Sequence, residues 1–232
     1  MALDLPEASL EELWSDLSPD ETRRAVAFHR VPDRQRFVAA RGQLRRLLAA
    51  YTGERPEKLS FVYGPHGKPG LGDGQLSFNL SHSNTRGLCA LTIEGPVGVD
   101  LEYVSAMPDF ATTIGTVMSP LEKLLLRDIA ASEHERVLYH NWTRKEAYLK
   151  ALGLGLSTSP QAISISLAED SPKLLEGIDQ SARPEEWQLR SFHLGGEYVA
   201  AVAVRNSACR CIWQRVWGDV GGSASAHFYS FT

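Results

Sequence analysis

The sequence has few cysteines, and their arrangement does not predict a metal centre. Its 232 residues include three cysteines, Cys89, Cys209 and Cys211. The last two form a Cys-Arg-Cys pair, but no second pair accompanies them to complete the four ligands of a structural zinc site. We therefore expect plain thiols, and neither a zinc site nor a redox centre.

The sequence also lacks long hydrophobic runs and a surplus of basic charge. It has no run of about 18 apolar residues, so no transmembrane helix is predicted. Residues 1–18 are acidic and lack the apolar core of a secretory signal, so we expect a cytoplasmic protein. The formal net charge of −4 argues against a nucleic-acid-binding protein, which usually carries a basic surplus. We expect neither a membrane nor a nucleic acid as a partner.

What is present is typical of a globular protein. The chain is 43% hydrophobic and 22% charged, and it is long enough for one large domain or two small ones. The patterns predict helices over residues 8–30, 33–51, 120–132 and 134–151, the second ending at Gly53 and the last at Gly153. Within residues 8–30, Ser18 is an N-cap candidate and Pro19 would occupy the first helical position beyond it. They predict strands over residues 59–63, 76–81, 87–94, 97–103, 161–167, 187–194, 197–205 and 209–217.

The two halves of the sequence resemble each other, which bears on the domain organisation. LSFNL at residues 76–80 precedes a strand, as RSFHL does at residues 190–194, although an echo this short could arise by chance. We predict an α+β fold of two similar lobes related by a pseudo-twofold, each a small antiparallel sheet packed with helices. The lobes would span residues 1–105 and 106–217, with a tail at 218–232 and the active site in the cleft between the lobes.

Two segments place acidic side chains in a defined geometry. In VGVDLE at residues 97–102, a strand would direct Asp100 and Glu102 to the same face, with Val99 and Leu101 on the other. In WTRKEAYLK at residues 142–150, Glu146 and Lys150 share one helix face at i,i+4. Three carboxylates and a lysine could bind magnesium and phosphate. The alternatives are a charged edge strand and a surface ion pair.

Other segments offer groups that bind phosphate. FNLSHS at residues 78–83 places Ser81 and His82 at the end of a strand, and Lys68 lies in a glycine-rich loop. Each signal is weak by itself. Eight arginines between residues 23 and 46 form either a solvated helical face or a site for a small polyanion.

Taken in order, these segments resemble the signatures of the 4′-phosphopantetheinyl transferases, and the chain length resembles the larger, single-chain class of that family. The resemblance covers roughly residues 10–215. It implies that Asp100, Glu102 and Glu146 hold Mg²⁺ against the pyrophosphate of coenzyme A and that Lys150 neutralises the same phosphates. Ser81 and His82 match coenzyme A contacts, Lys68 matches the segment lining the nucleotide, and Arg24 and Arg36 match the arginines that bind the 3′-phosphate. Arg41 is an alternative to them because the alignment there is ambiguous.

The reaction implied by the resemblance moves phosphopantetheine from coenzyme A to a serine of an acyl- or peptidyl-carrier protein. Adenosine 3′,5′-bisphosphate is released, and a monomer is expected. The catalytic residues would be Glu146, Lys150 and Asp100, with Glu146 as the candidate general base. A water held by an acidic residue beside the metal is the alternative base.

Two other interpretations stay open at this point. One is a catalytically inactive scaffold that binds carrier proteins, and the other is a different Mg²⁺-dependent nucleotide transferase. The combination of Asp100, Glu102, Glu146 and Lys150 speaks against the first, and the Ser81, His82 and Lys68 elements favour coenzyme A over the second.

Overall fold

The structure is a computed structural model, and it describes residues 1–72, 74, 76–107, 109–155, 158–205, 212–213 and 229–230. The chain forms two compact units. The first comprises Met1–Phe61, His82–Cys89 and the described residues of Arg210–Thr232, and the second comprises the described residues of Val62–Ser81 and Ala90–Cys209. Cys209, Cys211 and most of the predicted tail lie outside the described residues.

The described residues form helices and short strands in alternating groups. The helices are α1 (Glu7–Ser15), α2 (Pro19–Val26), α3 (Val31–Thr52), α4 (Phe110–Val117), α5 (Pro120–Leu126) and α6 (His134–Leu152). The strands are β1 (Phe61–Tyr63), β2 (Pro69–Leu71), β3 (Ser77–Ser83), β4 (Arg86–Thr92), β5 (Val97–Tyr103), β6 (Ser164–Ile165), β7 (Leu174–Glu176), β8 (Gln188–His193), β9 (Tyr198–Val204), β10 (Ile212–Trp213) and β11 (Tyr229–Ser230).

The first unit contains two helices where the sequence predicted one over residues 8–30. The single span was wrong because the chain leaves the helix after Ser15, but the predicted N-cap at Ser18 and the predicted helical position of Pro19 are confirmed. Ser18 is the N-cap of α2, and Glu21 returns a hydrogen bond to its backbone N–H, so the two residues form a capping box. The long helix α3 ends, as predicted, at Gly53, whose φ of 74° is left-handed.

The second unit is built on a three-stranded antiparallel sheet in the order β5-β9-β8. The central strand β9 is buried along its whole length, and α6 packs against β5 and β9. Val99 and Leu101 are each 1% exposed, so their predicted placement in the core is confirmed. The predicted bounds of β5 are also confirmed.

The remaining strands form two-stranded sheets: β1-β2, β3-β4, β6-β7 and β10-β11. The β6-β7 and β10-β11 pairs are antiparallel. An α+β fold with small antiparallel sheets is therefore confirmed. The helix predicted over 120–132 ends at Leu126, and of the strand predicted over 209–217 only Ile212–Trp213 is described.

The sheet of the second unit joins segments from both predicted lobes. Strand β5 comes from the predicted lobe 1–105, whereas β8 and β9 come from the predicted lobe 106–217. The lobe boundaries and the pseudo-twofold stay predictions. Within the described part of the chain, no helix is long and apolar enough to cross a membrane.

Candidate active site

Three predicted site residues meet at one buried point of the second unit. The Lys150 Nζ lies 2.5 Å from Asp100 Oδ1 and 2.9 Å from Ser81 Oγ. The Ser81 hydroxyl donates to the same Asp100 oxygen at 3.1 Å. Asp100 is 2% exposed, so its charge is held away from water and depends on these two partners.

Strand β3 positions this group through side chains that satisfy β5. The Val99 N–H donates to Asn79 Oδ1 at 2.9 Å, and the Leu101 N–H donates to Ser81 Oγ at 3.3 Å. An edge strand leaves a row of backbone groups unpaired, and here two polar side chains occupy part of that row. Ser81 thereby contacts β5 and Asp100 at the same time. Asn79 has no predicted role, although it lies in the same FNLSHS segment as Ser81.

Glu146 lies on the same side of α6 as Lys150 and near the other carboxylates. Burial raises the pKa of Glu146, the negative charges of Asp100 and Glu102 raise it further, and Lys150 lowers it. Glu146 and Glu102 are half-buried. The negative charges of Asp100 and Glu102 therefore act on Glu146, and the metal-binding roles of the three carboxylates stay predictions.

Gly98 allows α6 to approach β5 closely enough for this arrangement. A Cβ at residue 98 would lie 2.0 Å from the Ala147 carbonyl oxygen and 2.3 Å from the Ala151 nitrogen. Helix and strand backbones are therefore in direct contact beside Glu146 and Lys150. A glycine inside a strand is a recognised signal of close backbone approach, so the sequence could have indicated this contact.

The two basic residues that precede Glu146 are structural. Lys145 is 1% exposed, and its Nζ donates to Glu122 Oε2 at 2.5 Å, to Val117 O at 2.8 Å and to Pro160 O at 2.9 Å. Arg144, equally buried, donates to Ser191 Oγ at 2.7 Å. These bonds fix α6 against its surroundings and so orient the face that carries Glu146 and Lys150.

Lys68 contacts the ends of the same two elements. Its Nζ donates to Val97 O at the start of β5 and to Ala151 O near the end of α6, both at 2.9 Å. Burial lowers the pKa of Lys68 to about 8. Lys68 is therefore placed beside the site, but in this structure its ammonium group binds backbone carbonyls.

The predicted 3′-phosphate ligands belong to the first unit. Arg24 is exposed, and its guanidinium lies 5.3 Å from the centre of the Phe37 ring. Arg36 forms an ion pair with Asp4 at 2.8 Å. Of these two arginines, Arg24 is the more exposed to solvent.

Arg41, the alternative to them, forms an ion pair with the buried Glu21 at 2.5 Å. Arg45 pairs with the same carboxylate and is 1% exposed, so part of the arginine cluster is internal to the unit. His82 is exposed at the end of β3, also in the first unit.

The carboxylates near Lys150 have the donor chemistry that Mg²⁺ prefers. Asp100 Oδ2 is buried and has no hydrogen-bond partner in the described part of the chain, while Oδ1 accepts hydrogen bonds from Lys150 and Ser81. Such an oxygen would be stabilised by a cation, and Glu146 and Glu102 could supply further oxygen ligands. In this structure the three carboxylates are not close enough together to bind one ion. Among the described residues, the possible ligand atoms that all lie within 4.8 Å of one another belong to His140, Glu169 and His193.

Comparison with known proteins places these residues in a family. The model of the 4′-phosphopantetheinyl transferase superfamily matches residues 96–203, which contain Asp100, Glu102, Glu146 and Lys150. The 4′-phosphopantetheinyl transferase HetI of Nostoc sp. is 38% identical over 206 residues, covering 87% of this chain and 84% of that protein. The chain belongs to the 4′-phosphopantetheinyl transferase superfamily.

Other members of the superfamily are similar over most of this chain. A phosphopantetheinyl transferase of Thraustochytrium sp. is 28% identical over 232 residues, covering 91% of this chain and 80% of that protein. The 4′-phosphopantetheinyl transferase Sfp of Bacillus subtilis is 25% identical over 193 residues, covering 83% of this chain and 84% of that protein. The family assignment made from the motifs is thus confirmed, whereas the roles of single residues stay predictions.

Proposed function

We propose that this chain transfers 4′-phosphopantetheine from coenzyme A to a serine of an apo acyl- or peptidyl-carrier protein. The products would be the holo carrier and adenosine 3′,5′-bisphosphate. The observation that carries the proposal is the buried contact of Lys150 and Ser81 with Asp100, beside Glu146. Asp100, Glu146 and Lys150 lie within residues 96–203, which match the family. The relatives that bear the name of this activity support it.

The reaction requires one bond to form and one to break. The carrier serine oxygen bonds to the phosphorus that carries pantetheine, the pyrophosphate bond breaks, and the bisphosphate leaves with the electron pair. The serine proton must pass to a base. Glu146 is the candidate base because it lies beside the other carboxylates, and in the metal-free chain burial and those carboxylates raise its pKa.

Lys150 and Asp100 would prepare the phosphate site. The Lys150 ammonium group would neutralise pyrophosphate charge, while its bonds to Asp100 and Ser81 hold it in place before substrate arrives. Mg²⁺, held by Asp100, Glu102 and Glu146, would supply charge neutralisation at the phosphates. The unpartnered Asp100 Oδ2 supports this assignment.

The remaining predictions concern binding and assembly. Arg24, Arg36 or Arg41, with His82, would bind the 3′-phosphate of coenzyme A, and Lys68 would line the nucleotide. Exposure favours Arg24 for a role in ligand binding. Membership of the larger single-chain class, a monomeric state and a cytoplasmic location are part of the same proposal.

The decisive experiment is intact-protein mass spectrometry of an apo carrier protein incubated with this chain, coenzyme A and Mg²⁺. We expect a gain of one phosphopantetheine group that EDTA abolishes. Asp100→Asn should abolish the gain while the chain stays folded by circular dichroism, and Asp128→Asn, which changes an exposed aspartate, should leave it intact. Full activity of Asp100→Asn would contradict the assigned metal site.

Two outcomes separate the alternative functions. No mass gain on any of several unrelated carriers, together with measurable carrier binding, would favour the scaffold interpretation. A second assay replaces coenzyme A by dephospho-coenzyme A. We expect markedly slower transfer because dephospho-coenzyme A has no 3′-phosphate to contact the basic residues, and equal rates would contradict that contact.

A further inference from the structure

A second group of possible metal ligands lies in the second unit, apart from the carboxylates. His140 comes from α6, His193 from the end of β8, and Glu169 from the loop between β6 and β7. One ligand atom from each lies within 4.8 Å of the others. The two imidazole rings meet edge to face, with centroids 5.1 Å apart.

His140 has an unusual environment for a histidine. Its side chain is buried, with 4% of the residue exposed, and among the described residues neither Nδ1 nor Nε2 has a hydrogen-bond partner. Burial of a polar group without a partner is costly. A metal ion that accepts an electron pair from one of these nitrogens would give that nitrogen a partner.

We propose that His140, His193 and Glu169 form a binding site for a divalent transition-metal ion of the kind that prefers imidazole, with Zn²⁺ as the best fit. Two imidazole nitrogens and one carboxylate oxygen are a common ligand set for zinc, and a water would complete the tetrahedron. Mg²⁺ is a poor match because it prefers oxygen ligands. The site does not depend on the proposed transfer reaction.

The geometry requires only a local adjustment. Ligand atoms in a tetrahedral zinc site lie about 3.3 Å apart, given metal–ligand distances of about 2 Å. His193 and Glu169 are exposed and can rotate toward the fixed, buried His140. A metal here would join α6, β8 and the intervening loop.

Neighbouring arginines shape this site. Arg136 holds Glu169 Oε1 at 2.5 Å, which leaves Oε2 for a metal, and Arg144 donates to the Glu169 carbonyl at 3.2 Å. Outer partners of this kind orient a ligating carboxylate. The two guanidinium charges also oppose a cation, so they limit the affinity of the site.

The site is separate from the proposed magnesium site. His140 precedes Glu146 by six residues on α6, which corresponds to roughly 9 Å along the axis and about 240° around it. The two residues therefore lie on different faces of the helix. Metal bound at one site does not use the ligands of the other.

The test is titration of the full, EDTA-treated and dialysed chain with Zn²⁺ by calorimetry, repeated with Co²⁺ and visible absorption. We expect the protein to bind one metal ion at a site of nitrogen and oxygen ligands. The affinity for this ion should fall about tenfold or more in His193→Ala and in Glu169→Gln. His29→Ala, a histidine of the first unit, should bind as the parent does. Both site variants change exposed side chains, so each should fold.

The cysteines require their own control. A Cys209→Ser, Cys211→Ser double variant should retain the site, and the Co²⁺ spectrum should lack the intense charge-transfer band of thiolate ligands. Unchanged affinity in His193→Ala, or loss of binding in the cysteine variant alone, would overturn the proposal. Absence of any Zn²⁺ binding by the parent would overturn it as well.

Discussion

Replacement of Gly98 by alanine tests whether the contact between α6 and β5 creates the candidate site. The new Cβ would lie 2.0 Å from the Ala147 carbonyl oxygen, 2.3 Å from the Ala151 nitrogen and 2.9 Å from the Ala151 Cα. All three are backbone atoms of a helix, so none can rotate away. Ordinary contacts begin at 3.4 Å, and the helix must therefore move by about 1.4 Å.

The size of this shift determines the expected effects on stability and activity. Overpacking of a core costs about 1–3 kcal/mol, and a clash with backbone falls at the upper end, so we expect a loss of about 3 kcal/mol. Glu146 and Lys150 are carried by the displaced helix, while Asp100 stays on the strand. A misplacement of about 1 Å between reacting groups can reduce a rate about 100-fold.

Urea unfolding and the initial rate of carrier modification measure the two effects. Gly115→Ala is the matched control because, apart from its chain neighbours and the backbone of its own helix, no atom of the described residues lies within 4 Å of the added Cβ. Gly115 lies inside α4, so alanine there should stabilise the chain by about 0.5–1 kcal/mol and leave the rate unchanged. A Gly98→Ala variant with parental stability and parental rate would refute the reasoning.

Three further predictions concern charged residues near the site. Glu146→Gln should abolish transfer yet stabilise the metal-free chain at pH 7, because the raised pKa of Glu146 means that its ionised form destabilises the folded state. This gain in stability should vanish below pH 4.5, where the carboxyl group is protonated in both states. A lower melting temperature than that of Glu11→Gln at pH 7 would contradict it. Lys145→Met should lower the free energy of unfolding in urea by about 3–5 kcal/mol, because the buried charge of Glu122 then has no cationic partner. A loss under about 1 kcal/mol would show that this ion pair does not stabilise the fold. The pKa of Lys68 is about 8 in the folded chain and 10.5 in an unfolded chain. Between these two pH values the unfolded state binds more protons, so the stability of the parent should rise with pH relative to that of Lys68→Met. A stability difference that does not change with pH across this range would show that the pKa is not lowered.

The sequence by itself determined those features that depend on backbone geometry over a few residues. The two-residue repeat of a strand places Asp100 and Glu102 on one face. The helical repeat does the same for Glu146 and Lys150. The helix α6 ends at Gly153 because glycine readily adopts the left-handed conformation. The family could also be recognised from the sequence, because each of its motifs is a short run of consecutive residues.

Only the tertiary structure decided which polar groups are partners. Lys150 meets Asp100 across 50 positions of the chain, and Lys145 meets Glu122 across 23. Helix periodicity places the two lysines on different faces of α6, but it does not tell which face is buried within the protein and which reaches the candidate site. The choice depends on how closely α6 packs against β5 at Gly98, and that distance is set by contacts between segments far apart in the sequence.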